Sequence, residues 1–369
     1  MDDKKVAIVA DWLTTYGGAE KVVKSLHDIF PKAPIYTSQY NEKEIDWFRD
    51  CDVRTGWMNL FPARLRKILT VFRAVYFTNL DLSDYDVIIS VTTAESKGIK
   101  TTDEQLHISY LQGPPTQYLW GMHDKYIENP GFGKLNFIVR FFFKLLTKPL
   151  RKMDYKYAQR PDFLLANSTY SAEEIKKYYH RESEVAFPPV EIDKFKLNEA
   201  KGDYFVSTSR QVNWKRLDLA VRACIMTGDR LVLVGGGAEH GKLVELAKKN
   251  QNIEFKPTIR DSAELSKIVS RAKGFIFPSL EPFGIAPIEA LATGTPVLAF
   301  KKGGALDYIK SGENGVFFEQ QSEESLISGI KKFNKTKFDA KKVSLSARRF
   351  SEVEFKKRMI ELINEKISN

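Results

Sequence analysis

Two α/β domains, each a parallel sheet covered by helices, are what the residue order of this 369-residue chain predicts. Three observations carry that prediction. Short apolar runs alternate with longer helical patterns from one end to the other, the mark of strand-helix-strand units rather than hairpins. The length, with 43% hydrophobic residues, exceeds what one core usually holds. Near the middle, Phe187-Pro188-Pro189-Val190 sets two consecutive prolines where neither a helix nor a central strand can continue. The domains are therefore expected at residues 1–187 and 188–351.

Taken in order, the first half offers strands at Val6–Ala10, Pro34–Thr37, Asp86–Val91, His107–Leu111 and Phe163–Ala166. The second half offers Tyr204–Ser207, Arg230–Val234, Asn252–Phe255, Gly274–Phe277, Pro296–Phe300 and Val316–Phe318. Most are rich in β-branched and aromatic residues and are bounded by turn formers. After the first strand, Tyr16-Gly17-Gly18-Ala19-Glu20 opens a helix. Glycines there allow positive φ and close backbone approach, so that amides can meet a phosphate or sugar. Gly235-Gly236-Gly237 follows its strand in the same way, and reads either as backbone proximity to a nucleotide or as tight packing. A last helix is expected over Val353–Ile367.

The net charge of +10 points to an anionic partner without choosing among nucleic acid, lipid headgroups and a nucleotide diphosphate. Placement is more informative. From Lys134 to Lys152 there are six basic residues and no acid, with Ile138, Phe141, Phe142 and Leu145 at helical spacing. An apolar face with basic flanks is the composition of an interfacial helix. A second acid-free stretch, Phe61 to Leu80, carries Arg64, Arg66, Lys67 and Arg73 among apolar residues. Together they predict peripheral contact with an anionic membrane. No run approaches the ~20 apolar residues of a membrane span, and the charged start followed at once by a strand does not read as a signal peptide. Cys51 and Cys224 stand far apart, which fits a reducing cytoplasm and neither a disulfide nor a cysteine metal site. The expected location is the cytoplasm, peripheral at the inner face of the cell membrane.

Two glutamates frame Glu281-Pro-Phe-Gly-Ile-Ala-Pro-Ile-Glu289, where a buried strand gives way to a helix at Ala286–Ala292. Sheets of this class bind ligands at such junctions. Both carboxylates can face one polyol, while Gly284 and the amides of Ile285 and Ala286 at the helix start suit a sugar or phosphate oxygen. After the strand Tyr204–Ser207, Arg210 and Lys215 straddle a short loop before a helix and can reach the same end of the sheet. Asp50-Cys-Asp52 and Asp84-Tyr-Asp86 match a metal-holding string, but Asp84 and Asp86 begin a strand, at the end away from the expected site. No metal is expected.

With Phe283-Gly284 inside the glutamate pair, this segment resembles the donor-binding motif of family 4 of the retaining glycosyltransferases, enzymes of GT-B fold. That resemblance implies two Rossmann-like domains with parallel sheets facing across a cleft, an acceptor-binding first domain and a nucleotide-sugar-binding second one. It further implies that a terminal helix, 352–369, returns to the first domain. It continues through Asp81-Leu-Ser-Asp-Tyr-Asp-Val-Ile-Ile-Ser, Ala166-Asn167-Ser168 and Gly303-Gly304-Ala305-Leu306-Asp307. By resemblance, Arg210 and Lys215 grip the donor diphosphate in place of a metal ion, Glu289 holds the ribose and Glu281 the outer hydroxyls of the sugar. Gly17 and Gly18 lie over the phosphates and help shape the acceptor site. Gln112 stands where the family carries a histidine that touches a donor-sugar hydroxyl. Glutamine still hydrogen-bonds but carries no proton. The implied activity is metal-independent, retaining transfer of a hexose, mannose from GDP-mannose foremost, to a glycan or lipid-linked glycan. Neither a cofactor nor a nucleic-acid partner is expected. The alternatives are a catalytically silent GT-B scaffold, suggested by Gln112, and a nucleic-acid-binding protein, suggested by the charge.

Overall fold

The computed structural model describes residues 4–62, 69–128, 136–248 and 250–368, which divide into two compact units. The first comprises residues 1–189 and 355–369, and the second residues 190–354. Arg64, Arg66, Lys67 and Lys134, counted above among the basic stretches, lie outside the described residues.

In the first unit the strands are β1 (Val6–Ala10), β2 (Ile35–Thr37), β3 (Val53–Arg54), β4 (Val87–Thr92), β5 (Leu106–Leu111), β6 (Phe163–Ala166) and β7 (Glu184–Val185). Its helices include α1 (Gly18–Ile29), α2 (Thr70–Thr78), α3 (His123–Glu128), α4 (Asn136–Ala158) and α5 (Thr169–Tyr179). The strands form one parallel sheet in the order β3-β2-β1-β4-β5-β6-β7, with Ile8 of β1 opposite Ile35 on one side and Ile89 on the other. Alternating side chains feed two cores. Ile8 packs with Val22 and Leu26 of α1, whereas its neighbour Val9 packs with Met58, Phe77 and Ile88.

The second unit holds β8 (Tyr204–Thr208), α6 (Leu217–Thr227), β9 (Arg230–Val234), α7 (His240–Ala247), β10 (Ile253–Lys256), α8 (Ser262–Arg271) and β11 (Gly274–Phe277). It continues with α9 (Ile285–Ala292), β12 (Val297–Phe300), α10 (Ala305–Tyr308), β13 (Gly315–Phe318), α11 (Glu323–Lys335) and α12 (Ala340–Ser346). Its six strands are parallel, in the order β10-β9-β8-β11-β12-β13. A final helix, α13 (Glu352–Ser368), places Phe355, Met359, Leu362 and Ile363 in the core beside Ile8 of the first unit.

Both sheets reverse their winding between the first and fourth strands in order, β1/β4 and β8/β11. In folds of this class the carboxyl ends of two such strands are where a ligand crevice forms. The eleven strands expected from the sequence are present within a residue or two of their limits. The edge strands β3 and β7 were not expected.

Candidate active site

In the second unit the loops after β8 and β11 meet at the crevice. Lys215, at the end of the β8 loop, places its ammonium 2.5 Å from Glu281 Oε1, and both side chains are largely covered. Ser279 Oγ donates to the same carboxylate oxygen at 2.8 Å. Arg210 is exposed on the β8 loop. Lys215 and Glu281 lie at one end of one sheet, and the fold brings them into contact although they stand 66 positions apart in the sequence.

Pro282, Phe283 and Gly284 lead from Glu281 into α9. Gly284 caps that helix with φ +94°, a value that L side chains avoid, and a Cβ there would lie 2.8 Å from the Phe277 ring. The helix start has no side-chain cap. Pro287 in the first turn has no N–H, so the amides presented are those of Gly284, Ile285 and Ala286. Such a helix start favours an anion or an electron-rich oxygen. Two contacts hold the turn. The Glu281 carbonyl accepts from Gly304 N at 2.9 Å, and Tyr308 OH donates to the Phe283 carbonyl at 3.1 Å. Burial, reinforced by the Glu281 and Asp307 carboxylates, raises the Tyr308 phenol well above its ordinary range, so it stays a donor. Glu289 follows on α9, half-buried.

Gly235 sits where β9 ends, at φ +136°. A Cβ there would fall 2.1 Å from the Ser209 carbonyl oxygen. The close approach of the β8 and β9 loops alone requires the glycine. Gln211 ties the same loops, donating from Nε2 to the Gly235 carbonyl at 2.9 Å.

In the first unit the crevice lies at β1/β4. Gly17 caps α1 in an extended conformation, φ −162°, and neither it nor Gly18 is left-handed. The freedom expected of this pair is therefore not used as positive φ; the glycines leave α1 without a side-chain cap. Gln112 directly follows β5 and donates from Nε2 to the Ala19 carbonyl in the first turn of α1 at 3.1 Å. Its own carbonyl accepts from Asn167 Nδ2 at 2.6 Å. The side chain thus links β5 to the α1 start and holds no proton to transfer.

Sequence reasoning missed the acid beneath this crevice. Asp11, buried directly after β1, accepts backbone hydrogen bonds from Thr93, Ala94 and Ser96 at 2.6, 2.9 and 2.8 Å, fixing the loop after β4. An acid at the carboxyl end of the first strand was the available signal. Arg73, counted above in the second basic stretch, is buried and pairs with Glu95 at 2.8 Å. Burial pushes the Glu95 carboxyl up, against the pull of Arg73. His107 is buried with Nε2 2.8 Å from Ser90 Oγ, and burial, with Arg181 and Arg160 adding to it, lowers its pKa to about 3. Neutral at ordinary pH, it is a structural group. Asp86 is engaged by Lys5 N and Asp52 by Arg54.

Comparison with known proteins bears first on the unit that holds Lys215 and Glu281. Residues 189–350 match the family model of glycosyl transferases group 1. The chain is 23% identical over 266 residues to an alpha-1,3/1,6-mannosyltransferase, ALG2, of Rhizomucor pusillus, covering 58% of each chain. It is 27% identical over 214 residues to ALG2 of Homo sapiens, covering 48% of this chain and 51% of the relative. The chain thus spans little more than half the length of these relatives. Among solved structures, HepE of Anabaena in complex with UDP superposes with a TM-score of 0.69 at 17% identity, covering 98% of this chain and 100% of that one. Sucrose-phosphate synthase of Thermosynechococcus elongatus gives a TM-score of 0.72 at 15% identity, covering 99% of both. At such identities the likeness speaks for the fold. The chain has the GT-B fold of two parallel-sheet α/β domains, and within it residues 189–350 are similar to glycosyl transferases group 1.

Proposed function

We propose that the protein is a retaining, metal-independent glycosyltransferase that moves a hexose, mannose foremost, from a nucleotide diphosphate sugar to a glycan or lipid-linked glycan at the inner face of the cell membrane. The observation that carries this reading is the contact of Lys215 with Glu281 beside the uncapped start of α9. Breaking the sugar–oxygen bond leaves negative charge on the departing diphosphate, which needs preorganised cations and amides. Lys215 and Arg210 supply the cations, and Gly284, Ile285 and Ala286 the amides. Glu281 accepts from the sugar's outer hydroxyls and Glu289 from the ribose. Once donor is bound, Lys215 turns from Glu281 toward the diphosphate, freeing the carboxylate for the sugar. The acceptor hydroxyl attacks the anomeric carbon on the face the diphosphate leaves, and the leaving phosphate takes its proton, so no carboxylate nucleophile is needed. Gln112 orders the start of α1 for the acceptor side. Support for mannose comes from the named activity of the ALG2 relatives, and for a nucleotide from the UDP complex of HepE.

A thermal-shift panel of GDP, UDP, GDP-mannose and UDP-glucose tests the reading. Ligand at 100 times its Kd stabilises by ~2.7 kcal/mol, and the GDP pair is expected to raise the midpoint most, unchanged by a chelator. No response to any of the four refutes a nucleotide-sugar site. Binding without transfer to any acceptor identifies a silent scaffold instead.

A further inference from the structure

We infer that the first unit carries a lipid-docking face, built on the exposed side of α4 and the neighbouring end of α2, that seats on an anionic bilayer surface. This deepens the membrane part of the proposed function and rests on that reading.

The amphipathicity of α4 is inverted. Of its 23 residues only Thr147, Asp154 and Ala158 are buried. The inward side is polar: Asp154 pairs with Lys97 at 2.7 Å and accepts from Thr116, Trp120 and Tyr179 at 2.8, 2.7 and 2.7 Å. Arg151 adds a hydrogen bond to the Leu119 carbonyl. These contacts fix the helix by its polar side. Its apolar side faces outward, with Phe137, Phe141 and Leu145 exposed by 70, 65 and 62% in one i, i+4 row. Ile138, Phe142 and Leu146 form the adjacent row, also exposed. A core helix would bury these rows.

Cations complete the face. Lys144, Lys148 and Lys152 are exposed and form a third row beside Phe141 and Leu145. Among the described residues none of the three takes part in an ion pair, and no acid stands between Asn136 and Asp154. Rows 137 to 146 cover ~14 Å of helix at 1.5 Å per residue, a length that lies in an interface rather than crossing one. Among the described residues no helix is long and apolar enough to span a membrane.

A second exposed cluster adjoins it. Trp57, Phe61 and Phe72 form a ring triad with centroids 6.2 to 6.4 Å apart, with Val71 and Val75 exposed on the same helix α2. Tyr118 joins the two, its hydroxyl 3.3 Å from Thr70 Oγ1 and its ring 6.0 Å from Phe143. Farther along, Thr78 Oγ1 meets Tyr157 OH at 3.1 Å, so α2 and α4 run in the same direction and expose their apolar residues at the same end.

The charge selects the occupant. Pairing with the same face of a second copy would bring no carboxylate from α4 to the lysine row, since no acid stands between Asn136 and Asp154. A surface of anionic headgroups over acyl chains matches both the lysines and the apolar rows.

Co-sedimentation of the full chain with vesicles tests the proposal, using phosphatidylcholine alone and phosphatidylcholine mixed with phosphatidylglycerol. The chain is expected to partition at least ~tenfold more strongly onto the mixed vesicles. Phe141→Glu with Leu145→Glu abolishes that binding, and Lys144→Glu with Lys148→Glu removes the preference for anionic lipid. Equal binding to both vesicles, no binding to either, or a dimer in solution lost in the Phe141→Glu, Leu145→Glu variant without vesicle binding overturns it. The nucleotide-induced midpoint shift, measured on the same variants, reads the donor site separately. A retained shift without vesicle binding sinks only the docking face, and vesicle binding without any shift sinks only the donor reading.

Discussion

Lys215→Met keeps the side-chain stem and removes only the charge and its donors. In the free protein the ammonium lies 2.5 Å from Glu281, with side-chain exposures of 15 and 19%. At an effective dielectric near 20, opposite charges ~4 Å apart gain ~4 kcal/mol, most of it offset by desolvation. Glu281 keeps its hydrogen bond from Ser279, so the loss of stability is expected at ~1–3 kcal/mol. The effect on transfer is larger. Removing one preorganised donor from developing negative charge costs ~2.7–4 kcal/mol, or 10²–10³ in kcat. The assay is release of nucleoside diphosphate in the presence of acceptor membranes, with kcat and KM separated and folding checked by urea titration. Because Lys215 and Glu281 touch, the losses from Lys215→Met and Glu281→Gln are expected to be non-additive in the double variant. A kcat within ~threefold of wild type at saturating donor refutes the assignment of Lys215 to the leaving group.

Gly284→Ala forces a side chain onto φ +94° and against the Phe277 ring; a loss of ~1–3 kcal/mol in urea unfolding is expected, with the nucleotide-induced midpoint shift reduced. Arg73→Ala leaves Glu95 buried without its partner, which is expected to cost ~3–5 kcal/mol, whereas a double replacement by apolar residues recovers most of that loss. His107 has a folded pKa near 3 against 6.5 for the free group, so the unfolded chain takes up the proton first. Stability is then lost as pH falls below 6.5, at up to ~1.4 kcal/mol per pH unit from this group. His107→Asn flattens that slope, and an unchanged slope shows that the ring is accessible and protonated in the folded state.

The sheets were legible because their central strands are buried on both faces and therefore read as continuous apolar runs, as Val87 to Val91 shows. The edge pairs Val53–Arg54 and Glu184–Val185 were not, since two residues carry no period and are held in the sheet only by their neighbours' backbones. At the site, Glu281 and Lys215 could be placed at strand ends from local pattern, but their contact depends on strand order, which puts β8 beside β11. Arg73 shows the opposite failure. Its partner Glu95 is 22 positions away, beyond any helical or strand period, so the stretch Phe61 to Leu80 showed a cation without its acid. The apolar stripe of α4 was visible in the sequence, yet which way it pointed was decided by Lys97, Thr116, Trp120 and Tyr179, which anchor the opposite side through Asp154.

Because α13 contributes Phe355, Met359, Leu362 and Ile363 beside Ile8, the first unit is discontinuous along the chain and the second is an insertion within it. Fragment 1–189 made by itself would expose the groove those four side chains fill. Supplying a synthetic peptide of residues 352–368 would be the way to restore it, while residues 190–354 can be excised as one contiguous polypeptide.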